Sequence, residues 1–218
     1  MVILLSLDLS TTSTGYAVFD LSKPTLKEAL IECGAFKPSV PGITKLTYPK
    51  GALKKCQDLA RIIMDIIIKV QPDKIVIEEI NSGKNRLGQK VLDGLHFILL
   101  DRIEAQIPII QFMDSDGNTG WRSKACLKLI LSKNDKTTNT RRRKRNKEAR
   151  AAAKKNGKRI ANGILLPIIT KKHKAAEFVN SLYGTTLDVD MTSNHADIGD
   201  AIGLGTAFSV FVLKRYKL

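Results

Sequence analysis

Cysteine is scarce in this chain, and Cys33, Cys56 and Cys126 are too few and too far apart for a disulfide framework or a CxxC zinc half-site. They are expected to be reduced, mostly buried thiols. No apolar run reaches the roughly 18 to 20 residues that a membrane span requires. The opening MVILLSLDLS also lacks the basic flank and small-residue cleavage site of a secretory signal. These absences point to a soluble, intracellular protein acting in a cytoplasm, that of a phage host included. No internal repeat is visible, and 218 residues with 43% hydrophobic content suffice for one substantial core, so residues 1–218 are expected to form a single domain.

Acid is nearly missing from one long stretch. Lys136 to Lys174 holds fifteen Lys or Arg against Glu148 alone, whereas the rest of the chain carries twenty-one bases and twenty acids. Almost all of the +15 net charge is therefore confined to a cationic insert, at about 133–170, in a nearly neutral domain. The stretch from Ser132 to Gly163 has no sustained apolar stripe and the composition of a mobile or partner-ordered segment. Arg141 to Lys158 is rich enough in Ala, Arg and Lys to become a helix once its charge is neutralised.

Outside the insert, hydrophobic periodicity is clear. Val2–Leu9, Gly15–Phe19 and Ile31–Phe36 read as an antiparallel meander. Leu53 to Val70 has the three-and-four spacing of a helix covering a sheet, and Lys74–Ile80 is a short β-branched run entering a βαβ unit. Leu87–Ile103 is again helical, Ile107–Phe112 reads as a further strand, and a helix is expected near Gly120–Leu131. Two more helices follow, at Lys172–Leu182 and from His195 to Leu213. The fold class is thus α/β, a mixed sheet of three antiparallel strands followed by two parallel ones, flanked by helices.

Several acids sit where this pattern does not want them. Asp8 lies in an otherwise apolar strand, where an uncompensated charge is costly. Glu78 and Glu79 end the run Ile75-Val76-Ile77 at its carboxyl end, the edge where open α/β sheets place ligands. Adjacent strand residues face opposite ways, so only one of the pair can join Asp8. Asp197 and Asp200, three apart on a helix at about 100° per residue, share a face. Hard oxygen donors from two strand ends and one helix suit Mg²⁺, with Mn²⁺ able to substitute. Four carboxylates suffice for the two ions of a phosphodiester-cleaving site. A strand Asp is also common as a cap, and a helical Asp-x-x-Asp as a solvated pair; the four together favour the metal reading.

The run Leu4-Leu5-Ser6-Leu7-Asp8-Leu9-Ser10-Thr11-Thr12-Ser13-Thr14-Gly15-Tyr16-Ala17-Val18 resembles the opening of RuvC-like Holliday junction resolvases. In that family a strand delivers the first catalytic Asp and a Thr-Gly-Tyr/Trp turn begins the next strand. Ile77-Glu78-Glu79-Ile80 resembles the second motif, with Glu78 as the ligand, and Leu87-Gly88-Gln89 a helix that helps form the dimer. His195-Ala196-Asp197-Ile198-Gly199-Asp200-Ala201 is similar to the closing motif that brings the last two carboxylates. The resemblance implies a ribonuclease H-like fold, a homodimer with two active sites, and paired nicks in a four-way DNA junction. Asp8, Glu78, Asp197 and Asp200 would be both the catalytic residues and the ligands of two metal ions. Two departures stand out: Asn81, Ser82 and Gly83 replace the aromatic wedge of the bacterial enzymes, and the basic insert is longer than in compact bacterial members.

His195 could support the metal site or be a structural helix-start residue. Lys124 could place a cation beside the scissile phosphate. Arg141, Arg142, Arg143, Lys144, Arg145, Lys154, Lys155, Lys158 and Arg159 are candidate DNA-phosphate contacts, with a localisation run or a solvated loop as the alternative. An actin-like or sugar-kinase-type ATPase shares the Asp8 loop but needs a second loop and a longer chain. A non-catalytic nucleic-acid-binding protein would have no use for four acids in register.

Overall fold

A computed structural model describes residues 1–39, 48–79, 86–103, 110–114, 120–157, 159–160, 164–188 and 194–218, the side chains of 86–88 excepted. The chain opens with β1 (Ile3–Asp8), β2 (Thr14–Asp20), the single turn α1 (Leu26–Ala29) and β3 (Leu30–Phe36). Then come α2 (Lys50–Val70), β4 (Lys74–Glu78), α3 (Arg86–Ile103) and β5 (Ile110–Met113). The last helices are α4 (Lys133–Lys155), α5 (Lys171–Tyr183) and α6 (His195–Ala207), which runs on into a π-helical turn, Phe208–Val212.

The sheet order is β3-β2-β1-β4-β5, antiparallel among the first three strands and parallel from β1 through β4 to β5. This is the expected mixed sheet. Period-two alternation along its strands feeds two cores. Ile3, Leu5, Leu7, Ile75 and Ile77 face α2 and α3, meeting Leu59, Ile63, Leu95 and Leu99. Leu4, Ala17, Phe19 and Val76 face the other way, toward Trp121, α5 and α6. The apolar stripe of α2 buries Cys56, Leu59, Ala60, Ile63 and Ile67, and the helix stops at Gln71, whose backbone is left-handed with φ 49°.

Two stretches differ from expectation. Residues 120–127 form successive turns and bends, and no helix forms through 131. Trp121, Cys126, Leu127 and Leu129 are all buried, and at about 100° per residue they would point to different sides of a helix. Turns closed by Lys128 N–H to the Ser123 carbonyl (2.8 Å) and Leu127 N–H to the Trp121 carbonyl (3.1 Å) bring them to one core.

Within the basic insert, Lys133–Lys155 forms an α-helix in the chain alone. Ser132 and Asp135 cap α4 reciprocally, and its covered stripe contains polar Asn139 and Asn146, which are buried. The expected strand residues 107–109 and Ile80 lie outside the described residues.

Candidate active site

Alternation in β1 sends Asp8 to the same side as Leu4 and Ser6, the side covered by α6. Ser6 fastens that helix, its buried hydroxyl donating to the Ala201 carbonyl at 2.8 Å. In the parallel pairing of β1 with β4, Leu7 stands opposite Ile77, so Asp8 and Glu78 are the next residues on neighbouring strands. Glu78 shares the face of Val76, and Glu79 turns to the opposite face, beside His96, Phe97 and Phe112.

Gly15, opposite Asp8 in β2, explains how the last motif reaches the first. A Cβ there would collide with the Asp197 carbonyl, so only glycine lets the first turn of α6 approach the sheet this closely. Asp8, Glu78 and Asp200 therefore stand near one another, with Asp197 at the rim. Asp200 is fully buried and Asp8 is 8% exposed.

Two cations are built into the cluster. Arg122 Nη2 lies 2.8 Å from Asp200 and 3.4 Å from Glu78. Its guanidinium sits 4.2 Å over the Trp121 ring, whose Nε1–H donates to Glu78 at 3.2 Å. Lys172, from the first turn of α5, places Nζ 3.1 Å from Asp197 and 3.2 Å from Asp200. Shared contact with one ammonium confirms that Asp197 and Asp200 occupy one face of α6.

Burial, then the charges of Asp200 and Glu78, push the Asp8 carboxyl well above the usual carboxylate range. Burial opposes the charge of Arg122, yet Asp200 and Glu78 overcome it and raise its pKa. The same opposition, overcome by Asp200, Asp8 and Asp197, holds the Lys172 ammonium above its ordinary value.

The donors suit a hard divalent cation, being carboxylate oxygens with no soft ligand among them. Asp200 Oδ2 is ion-paired to Arg122 and Lys172, and Oδ1 is sealed from solvent without a hydrogen bond. A buried acceptor in that state is one that a cation would satisfy. Among the described residues, no three His, Cys, Asp or Glu side chains stand at common ligand spacing.

The supporting residues sort differently. Lys124 is exposed, and the cation that this segment sets against the acids is Arg122, two residues earlier. His195 caps local structure, its Nδ1 accepting the Asp188 N–H at 2.9 Å, which leaves the proton of a neutral ring on Nε2. Arg141, Arg143, Lys144, Arg145, Lys154, Lys155 and Arg159 are exposed, whereas Arg142 is half-buried and donates to the Pro167 carbonyl at 2.7 Å. Lys158 lies outside the described residues, as do Asn81, Ser82 and Gly83.

Sequence reasoning missed Arg122 and Lys172. The first adjoins the one tryptophan, a usable signal; the second is indistinguishable in sequence from its cationic neighbours.

No protein-family model and no curated protein matches the sequence. Solved structures do match in fold. Thermus thermophilus RuvC in complex with a Holliday junction substrate aligns with a TM-score of 0.55 at 12% identity, over 98% of this chain and 96% of that one. A second Thermus thermophilus RuvC structure gives 0.52 at 13%, over 97% and 96%. The yeast mitochondrial Holliday junction resolvase Ydc2 gives 0.51 at 10%, over 97% of this chain and 79% of that one.

Proposed function

From a chain with the RuvC-like resolvase fold, we propose an endodeoxyribonuclease that cuts four-way junctions and other branched DNA by paired phosphodiester hydrolysis. The observation that supports this most is the convergence of Asp8, Glu78 and Asp200 from three separate parts of the sequence, with Asp197 at the rim, on one edge of the sheet. Asp8, Glu78, Asp197 and Asp200 would hold Mg²⁺, two ions per site, which when bound activate water and stabilise the leaving oxygen. Mn²⁺ would serve in its place.

The remaining chemistry belongs to the chain itself. Trp121 orients Glu78 through its indole N–H, and Arg122 holds Glu78 and Asp200 toward each other. Lys172, with its side chain 46% exposed, can turn from Asp197 to a phosphate oxygen entering the cleft, which makes it the cation best placed to meet the scissile group. The exposed bases of α4 grip DNA by its phosphates, without reading sequence. Two such sites in a homodimer, in an intracellular compartment where DNA is exposed, would produce opposed nicks.

Incubating the protein with a synthetic four-way junction and with linear duplex of equal length, in Mg²⁺ or in chelator, tests the reading. Symmetrical nicks in the junction alone, only with Mg²⁺, are expected; uncut junction sinks it. Asp8→Asn, Glu78→Gln and Asp200→Asn should each abolish cleavage and retain junction binding. Glu79→Gln, on the opposite face, should cut almost as the parent does.

A further inference from the structure

Helix α4 shares no extensive contact with any other described helix or strand. Instead it is tied to the segment 164–170 by two side-chain amides. Asn139 donates to the Ile169 carbonyl at 2.7 Å and accepts the Ile169 N–H at 2.9 Å. Asn146 donates to the Leu166 carbonyl at 2.9 Å and accepts the Leu166 N–H at 2.8 Å. Each asparagine thus pairs with both backbone groups of one residue, as a strand neighbour would.

The spacing matches. Seven residues of helix rise about 10.5 Å, and three residues of extended chain cover about 10 Å. Asn139 and Asn146 therefore meet Ile169 and Leu166 in antiparallel register. Pro167 between them stiffens the segment and favours an extended Leu166, and its carbonyl takes the Arg142 guanidinium at 2.7 Å. The asparagines are 2% and 9% exposed, so these pairs satisfy groups that water barely reaches.

Both ends of this attachment lead to the catalytic acids. Segment 164–170 runs directly into α5, whose second residue is Lys172, against Asp197 and Asp200. Lys174 of the same turn bridges back to Asp135 in the first turn of α4 at 3.1 Å. On the face opposite the asparagines, Lys133, Lys144 and Lys155 are exposed, and Lys136, Lys147 and Lys154 are exposed along its flank. At 1.5 Å per residue α4 is about 34 Å long, close to one turn of duplex DNA.

We infer that Asn139 and Asn146 clamp α4 as a rigid arm, held at a fixed angle to the carboxylates, that takes one duplex arm of a branched substrate while another arm enters the site. The inference rests on the nuclease reading and deepens it: the asparagines are positioning residues for substrate shape. A fixed arm binds without loss of orientational freedom when the two duplexes diverge at the matching angle, and is wasted on a straight duplex. A swinging arm would grip either.

The test is the double variant Asn139→Ala/Asn146→Ala in the full chain, with binding to junction and to linear duplex measured by fluorescence anisotropy across a salt series. Amide hydrogen exchange at Leu166 and Ile169 reports release of the clamp, and unchanged protection in β1 and β4 reports an intact body. Preference for junction over linear duplex should fall about tenfold, the order expected from losing net hydrogen bonds on each asparagine. Linear-duplex affinity and its salt slope should hold, because the lysines remain. Should the double variant lose the body's protection, each single variant keeps one clamp and is read by the same ratio. A parent that prefers junctions and a released variant that prefers them equally overturn the clamp alone. A parent without preference overturns the nuclease reading as well.

Discussion

Asp8 is set against its surroundings by burial first, and then by the charges of Asp200 and Glu78, all of which raise its pKa. The folded chain therefore binds this proton more tightly than the unfolded chain, where the pKa is about 3.9. That preference stabilises the fold fully below the unfolded value and is lost as pH climbs through the raised one. Asp8→Asn keeps the shape and removes the charge. In chelator, the variant should melt above the parent at about pH 7, with the gap closing toward about pH 4 as the parent takes up its proton. Each kcal/mol gained corresponds to about 2–4 °C in a chain of this size. Parallel thermal melts across that range check it, and a variant that melts below the parent at neutral pH removes the idea that Asp8 is strained without a cation. Gly15 offers a second test at this scale. Gly15→Ala places a methyl against the Asp197 carbonyl, so α6 must move off the sheet. A loss of about 1–3 kcal/mol, the usual cost of overpacking, should appear in urea denaturation together with lost cleavage.

Between elements, the loop after β5 and helix α6 meet through one missing side chain. A Cβ on Gly203 would stand 2.5 Å from the Trp121 ring, and Trp121 is the residue that orients Glu78. Gly203→Ala should therefore displace the indole and reduce cleavage through Glu78. Trp121→Phe separates the two effects, since it removes only the N–H and part of the ring. A hydrogen bond to a charged group is worth about 1.5–3 kcal/mol, so cleavage by that variant should fall roughly ten- to a hundredfold with most stability retained. Single-turnover rates beside denaturation midpoints distinguish orientation from packing. This loop is also where the sequence was least readable. β1, β2 and β4 announce themselves as short apolar runs, and α2 and α3 by apolar residues at helical spacing. Trp121, Cys126, Leu127 and Leu129 obey no period, because turns collect them. Arg122 and Lys172 escape notice for a related reason: a base reads as surface until its carboxylate neighbours are known, and these come from β1, β4 and α6. The acids themselves were readable, each being an exception within an apolar element.

Across the whole molecule, charge is divided between a nearly neutral body and the helix that leaves it. α4 was expected to need a polyanion to become helical, because no apolar stripe could dock it. The structure docks it with amides, and composition alone does not reveal that Asn139 and Asn146, two turns apart, can serve as such a stripe. Lysines then cover the far face and a flank, and their number sets how binding responds to salt. Each phosphate they neutralise releases counterions, so the slope of log K against log salt changes by about 0.9 per contact on duplex DNA. Lys144→Gln/Lys147→Gln/Lys154→Gln removes three exposed bases from one face without touching either asparagine or any carboxylate. Its slope should be shallower by about 2.7 if all three meet phosphate. Affinity at low salt should fall for junction and linear duplex alike, because phosphate contacts carry no shape by themselves. Nicking of a saturating junction should continue, since Lys172 and the four acids are unchanged. Titrations at four salt concentrations measure the slope directly, and a slope equal to the parent's means that α4 does not lie along a duplex.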